Sequence, residues 1–181
     1  MTRSERRLHV PGVLLTGHPS SGKSTLANAL AHGLRARGVG CEVLDGDELR
    51  ARLPPPLGFT REDRGHQFVR GLFVAELLAA HGVIPILALV APFAADRALA
   101  RQRFTDVGWV EVFLDPPQDV CLQRDSRGLY AALAARGGNA LIDSEVLSPY
   151  ERPTAPTLRL DTSRIDVETA TAQILGTLGV S

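Results

Sequence analysis

The chain has 181 residues, of which 44% are hydrophobic, so it suits a single domain (1–181) with its own core. Lysine plus arginine and aspartate plus glutamate both number 20, a net charge of +0, which excludes the basic excess of a general nucleic-acid binder but not a local site for a small anion. No apolar run is long enough to span a membrane, residues 1–9 read as a frayed basic tail rather than a secretory signal, and the distant Cys41 and Cys121 read as reduced thiols of a cytoplasmic protein.

The first expected strand, Val10–Thr16, runs into Gly17-His18-Pro19-Ser20-Ser21-Gly22-Lys23-Ser24-Thr25, which fits G-x-x-x-x-G-K-[ST]. An amphipathic helix, Lys23–Arg37, follows with Leu26, Leu30 and Leu34 on one face. Strand, glycine loop and helix together turn backbone N–H groups and a helix N-terminus toward a phosphate chain. The pattern predicts a nucleoside triphosphate cradled by Gly17–Thr25, with Lys23 on its β/γ-phosphates and Ser24 on Mg²⁺.

The second strand, Cys41–Asp45, leads into Asp45-Gly46-Asp47-Glu48-Leu49-Arg50. Two carboxylates at i and i+2 beside a phosphate loop suit phosphoryl transfer. One supports the metal and its waters, and the other accepts a proton from the acceptor hydroxyl. Asp45 and Asp47 are the candidates for these two roles, with Arg50 suited to clamp an anionic acceptor. Gly46–Phe59, stiffened by Pro54-Pro55-Pro56, is expected to be irregular. Thr60-x-x-Asp63 then opens a helix over Arg61–Ala80 with Phe68, Leu72, Ala75 and Leu78 or Ala79 on its apolar face. Phe59 stacks on a base or joins the core, and Arg64 pairs with a ligand anion or with a nearby carboxylate.

Three more strands are expected at Val83–Val90, Trp109–Leu114 and Thr157–Leu160, with helices at Ala94–Phe104, Gln118–Arg124, Leu129–Ala135 and Asp166–Leu178. The apolar runs Val83–Val90 and Trp109–Leu114 imply strands buried on both faces, hence a parallel sheet under helices. Strands alternating with helices give an α/β doubly wound fold, whose ligands sit at the C-terminal strand ends. Ala91–Ala94 and the Gly/Pro-rich Gly137–Pro156 fall at that edge, the latter as an expected mobile segment over the site. Arg124 and Arg127, in Arg124-Asp125-Ser126-Arg127-Gly128, suit stabilisation of a transferring phosphoryl group. His9, His32, His66 and His81 lack metal-ligand spacing.

Taken together these residues resemble the adenylylsulfate kinase family. The resemblance rests on Gly17–Thr25, Leu44-Asp45-Gly46-Asp47-x-x-Arg50, Leu57-Gly58-Phe59-Thr60-x-Glu62-Asp63-Arg64, Glu111-Val112-Phe113-Leu114-Asp115, Arg124–Tyr130 and Pro149-Tyr150-Glu151. It implies a P-loop kinase with a five-stranded parallel sheet flanked by helices, ATP with Mg²⁺, and a homodimer. It also implies Asp47 near the hydroxyl of a small-molecule acceptor, Arg50 and Arg64 on its anionic group, and Phe59 on its adenine.

The chain departs from that family on the acceptor side. Gln67 stands where the family has Asn, and Ala91-Pro92-Phe93-Ala94 stands where it has Ser-Pro-Tyr-Arg. Leu141, Asp143 and Glu145 replace a Lys, a Phe and a Gly in the late loop. These changes favour, by a narrow margin, a related kinase whose acceptor is another hydroxylated metabolite. A true adenylylsulfate kinase is the alternative, and a nucleotide-binding regulator without turnover is the third reading.

Overall fold

The computed structural model describes residues 7–58, 60–125, 128 and 150–180. In chain order the elements are β1 (Gly12–Thr16), α1 (Lys23–Ala36), β2 (Cys41–Asp45), α2 (Gly46–Arg52), α3 (Arg61–Ala80) and β3 (Ile84–Ala88). They continue with α4 (Ala94–Arg103), β4 (Trp109–Leu114), α5 (Gln118–Arg124), β5 (Leu158–Leu160) and α6 (Val167–Thr177). The expected helix Leu129–Ala135 and most of Gly137–Pro156 lie outside the described residues, as do Phe59 and Arg127.

The five strands form one sheet in the order β2-β3-β1-β4-β5, and every pairing is parallel. Successive residues of β1 point to opposite faces and build two half-cores. Val13 and Leu15 pack with Leu26, Leu30 and Leu34 of α1 and Ile174 of α6. Leu14 packs on the other face with Phe68, Leu72 and Ala75 of α3 and with Phe104 after α4. The expected apolar face of α3 is buried as read, with Ala79 rather than Leu78 as its last buried member. Thr60 caps α3 by accepting from the Asp63 N–H at 3.1 Å, while its hydroxyl donates to the Asp63 carboxylate at 2.8 Å.

One expectation is overturned. The segment Gly46–Phe59 is not irregular from its start, because its first seven residues form α2. The Asp45 side chain caps that helix by accepting from the Asp47 N–H at 2.9 Å, Glu48 and Arg52 pair at 3.0 Å across one turn, and Leu49 is buried. A strand that ends directly in its own helix cap leaves no loop signal between the two elements.

The close packing of α1 gives a direct test. Leu30 is 0% exposed. Leu30→Ala is expected to lower the unfolding free energy by about 2–5 kcal/mol. Urea denaturation checks this, and a loss below about 1 kcal/mol would contradict the packing described.

Candidate active site

The phosphate loop leaves β1 at the C-terminal edge of the sheet. Gly17 has φ +150°, and a Cβ there would sit 2.5 Å from the Leu114 carbonyl oxygen, so the loop approaches β4 more closely than a side chain allows. Gly22, at φ +96°, is the left-handed N-cap of α1. Lys23 Nζ donates to the carbonyls of Gly17 at 3.0 Å and His18 at 2.7 Å, which folds the lysine back over its own loop. The loop, Asp45, Asp47, Arg50 and Arg64 line one cavity of about 490 Å³, a size suited to small ligands.

Asp45 joins the two sides of that cavity. One carboxylate oxygen caps α2, and the other accepts from the Ser24 hydroxyl at 2.6 Å. A hydroxyl and a carboxylate side by side form the hard oxygen set that Mg²⁺ accepts while keeping waters and phosphate oxygens as its other ligands. Among the described residues no cluster of three or more His, Cys, Asp or Glu could hold a metal ion.

Across the cavity, Arg50 Nη1 donates to the carbonyls of Leu57 at 2.7 Å and Gly58 at 2.6 Å, so it also shapes the loop before α3. Arg64 is held below the usual arginine range, first by burial and then by the nearby charge of Arg50. Two guanidinium groups at such quarters favour an anion between them. Arg124 lies at the cavity's other end, where its guanidinium donates to Thr162 Oγ1 at 3.0 Å and to Thr162 O at 2.7 Å. Thr162 in turn donates to the Ser21 carbonyl at 2.9 Å, tying α5 and the end of β5 to the phosphate loop.

Further residues that the sequence shows only as family motifs or departures take part in building the site. Gln67 is 5% exposed, lines the cavity, and has no hydrogen-bond partner among the described residues on either carboxamide atom. Its place one turn after Arg64 was the available signal. Tyr150 and Glu151 brace the cavity from behind. The Thr16 hydroxyl donates to the Val90 carbonyl at 2.6 Å, so its 2.9 Å bond to Tyr150 has the phenol as donor. Burial pushes the Tyr150 phenol up to about 12. Glu151 accepts from the Ala94 N–H at 2.7 Å and so caps α4. Asp115, at the end of β4, receives both Arg152 and Arg159.

A family model for adenylylsulphate kinase matches residues 10–161. The chain belongs to the adenylylsulphate kinase family. It is a phosphotransferase of that type. It is 43% identical over 169 residues to an adenylyl-sulfate kinase of Deinococcus deserti, covering 93% of this chain and 91% of that one. It is 42% identical over 166 residues to the bifunctional enzyme NodQ of Azospirillum brasilense, of whose length the match covers only 26%. Among solved structures it is similar to the Mycobacterium tuberculosis APS kinase CysC in complex with AMPPNP and APS, with a TM-score of 0.86 and 35% identity over 96% of this chain and 99% of that one. A gluconokinase from Sinorhizobium meliloti, at 20% identity and a TM-score of 0.62, shares the fold.

In this kinase the His18 ring lies 4.7 Å from that of Tyr150. Its pKa is lowered, first by burial, then by the charges of Lys23 and Arg152, with Asp115 opposing. The unfolded chain therefore takes up this proton first as pH falls, so the folded state loses stability below about pH 6.5. His18→Gln is expected to flatten the stability profile below about pH 6.5. Urea midpoints across that range check it, and a profile as steep as wild type would contradict the assignment.

Proposed function

We propose that this chain is an adenylylsulfate kinase, which moves the γ-phosphoryl group of ATP to the 3′-hydroxyl of adenosine 5′-phosphosulfate (APS). The observation that carries this reading is the likeness, at 35% identity and a TM-score of 0.86, to an APS kinase solved with AMPPNP and APS. Identities near 40% to adenylyl-sulfate kinases that this chain matches over most of their length support it further. The acceptor-side replacements favoured a different metabolite when read as sequence. Their weight falls once their surroundings are seen. The Ala91 carbonyl accepts from Arg97 and the Ala94 N–H donates to Glu151, backbone contacts that do not depend on the side chain at either position. Leu141, Asp143 and Glu145 lie outside the described residues.

The geometry supports the following roles. The loop amides and Lys23 hold the triphosphate, and Ser24 with Asp45 holds Mg²⁺ through a hydroxyl and a carboxylate already 2.6 Å apart. The ion would neutralise charge on the β- and γ-phosphates. Asp47, on the first turn of α2, accepts the proton of the attacking hydroxyl. Arg50 and Arg64 receive the phosphosulfate, and Gln67 offers one donor and one acceptor beside them. We assign Phe59 to the adenine of the acceptor and Arg127 to the charge that develops in transfer. Arg124, anchored through Thr162 to the loop, serves the ATP side. A homodimer in the cytoplasm belongs to this proposal and rests on the family resemblance and on two free, buried cysteines.

Purified protein with Mg-ATP and APS is expected to form 3′-phosphoadenylylsulfate, read by mass spectrometry. No product with ATP binding intact would return the weight to a changed acceptor. Asp47→Asn is expected to lower kcat by about 10²–10⁴-fold with ATP affinity kept. A wild-type rate would remove Asp47 from its role. Gln67→Leu is expected to raise the KM for APS by about tenfold, at little cost in thermal stability, because its buried amide has no bond among the described residues to lose. An unchanged KM would contradict the contact.

A further inference from the structure

One wall of the cavity is the turn that follows β3, and its backbone is unusual. Ala91 is 4% exposed and has φ +42°, in the left-handed region that residues other than glycine rarely enter. Both carbonyls around it are held from outside the cavity. The Val90 carbonyl accepts from Thr16, and the Ala91 carbonyl accepts from Arg97 Nη1 at 2.7 Å. Val90, Ala91 and Pro92 themselves line the cavity with Asp47, Arg50 and Arg64.

Arg97 is placed to hold this turn. It is 3% exposed, and its second terminal nitrogen donates to the Glu151 carbonyl at 2.6 Å, while Nε faces Glu111 at 3.4 Å. The Glu151 N–H closes the arrangement by donating to the Pro92 carbonyl at 2.8 Å. Glu111 has a second partner, Arg101, at 2.9 Å, which touches neither carbonyl. The ion pair and the grip on the turn are therefore separable by mutation.

We propose that Arg97 is a positioning residue for the acceptor: by binding the Ala91 and Glu151 carbonyls together it fixes the left-handed turn that forms the acceptor wall. The inference rests on the APS kinase reading for its substrate and on the geometry of the turn for its substance. Arg97 stands behind the wall and acts through Ala91.

The test compares Arg97→Lys, which keeps the buried charge, with Arg101→Gln, which removes the other arm of the Glu111 network. Arg97→Lys is expected to raise the KM for APS by about tenfold or more and to leave the KM for ATP within about twofold. Arg101→Gln is expected to leave both within about twofold. Adding Ala91→Gly to Arg97→Lys is expected to recover most of the loss, since glycine takes positive φ freely. An unmoved APS KM, equal rises for both substrates, equal effects of the two arginine variants, or no rescue by glycine would each overturn the proposal. If Arg97→Lys does not fold, Ala91→Val carries the test, because a β-branched residue disfavours the turn with Arg97 in place. The same selective rise in APS KM is expected there, and an unchanged value overturns the proposal. Hydrogen exchange over residues 86–91 needs no acceptor and separates this inference from the functional reading. It is expected to quicken by about tenfold in Arg97→Lys and not in Arg101→Gln, whether or not wild type turns over APS, and unchanged exchange in both would overturn the proposal.

Discussion

The carboxylate of Asp45 is the contact on which the site depends. It closes β2, caps α2, and binds the hydroxyl of Ser24 at the start of α1. One side chain thus fixes the distance between the helix that carries Asp47 and Arg50 and the helix that carries the phosphate-loop lysine. In-line transfer asks that donor and acceptor be held in near-contact geometry, and small misplacements are costly. A short carboxylate bridge between two elements that begin at neighbouring strand ends meets that demand with little slack. The same two oxygen groups are the hard pair proposed above to hold Mg²⁺, which would make the brace and the metal site one object.

The second support lies behind the cavity. Tyr150 and Glu151 reach the ends of β1, β3 and α4 through the Thr16 hydroxyl, the Pro92 carbonyl and the Ala94 N–H. Arg97 and Glu111 supply buried charges that are paired and hydrogen-bonded, the condition under which burial of charge is tolerated. These contacts give a physical reason for the Pro149-Tyr150-Glu151 and Glu111-Val112-Phe113-Leu114-Asp115 motifs. They carry the frame of the site. They also bear on the acceptor replacements, since Ala91 and Ala94 sit where backbone groups make the contacts.

Much of the chain was legible without coordinates because its signals are local. The phosphate loop is a spacing of glycines with a lysine, set between an apolar run and a 3.6-residue period. The strands Cys41–Asp45 and Trp109–Leu114 and the helices Arg61–Ala80 and Gln118–Arg124 end where the sequence changes period or meets a cap. The short helix α2 was missed because Asp45 serves as last strand residue and helix cap at once. Gln67 was noted as a departure from a family and not as a lining residue. Its significance is that both its polar atoms are buried without partners among the described residues, and pattern does not report burial of single atoms.

The sequence by itself determined the parallel α/β fold, the phosphate-binding loop, the family and the acidic and basic residues gathered near the strand ends. Those follow from periodicity, backbone freedom at glycine and residue chemistry, all encoded within a few neighbouring positions. Only the tertiary structure decided which of these groups meet. Ser24 and Asp45 are 21 positions apart, Arg124 and Thr162 are 38 apart, and Arg97 and Glu151 are 54 apart. Their contacts come from the order in which strands pair, and the sheet alone brings such distant turns to one edge.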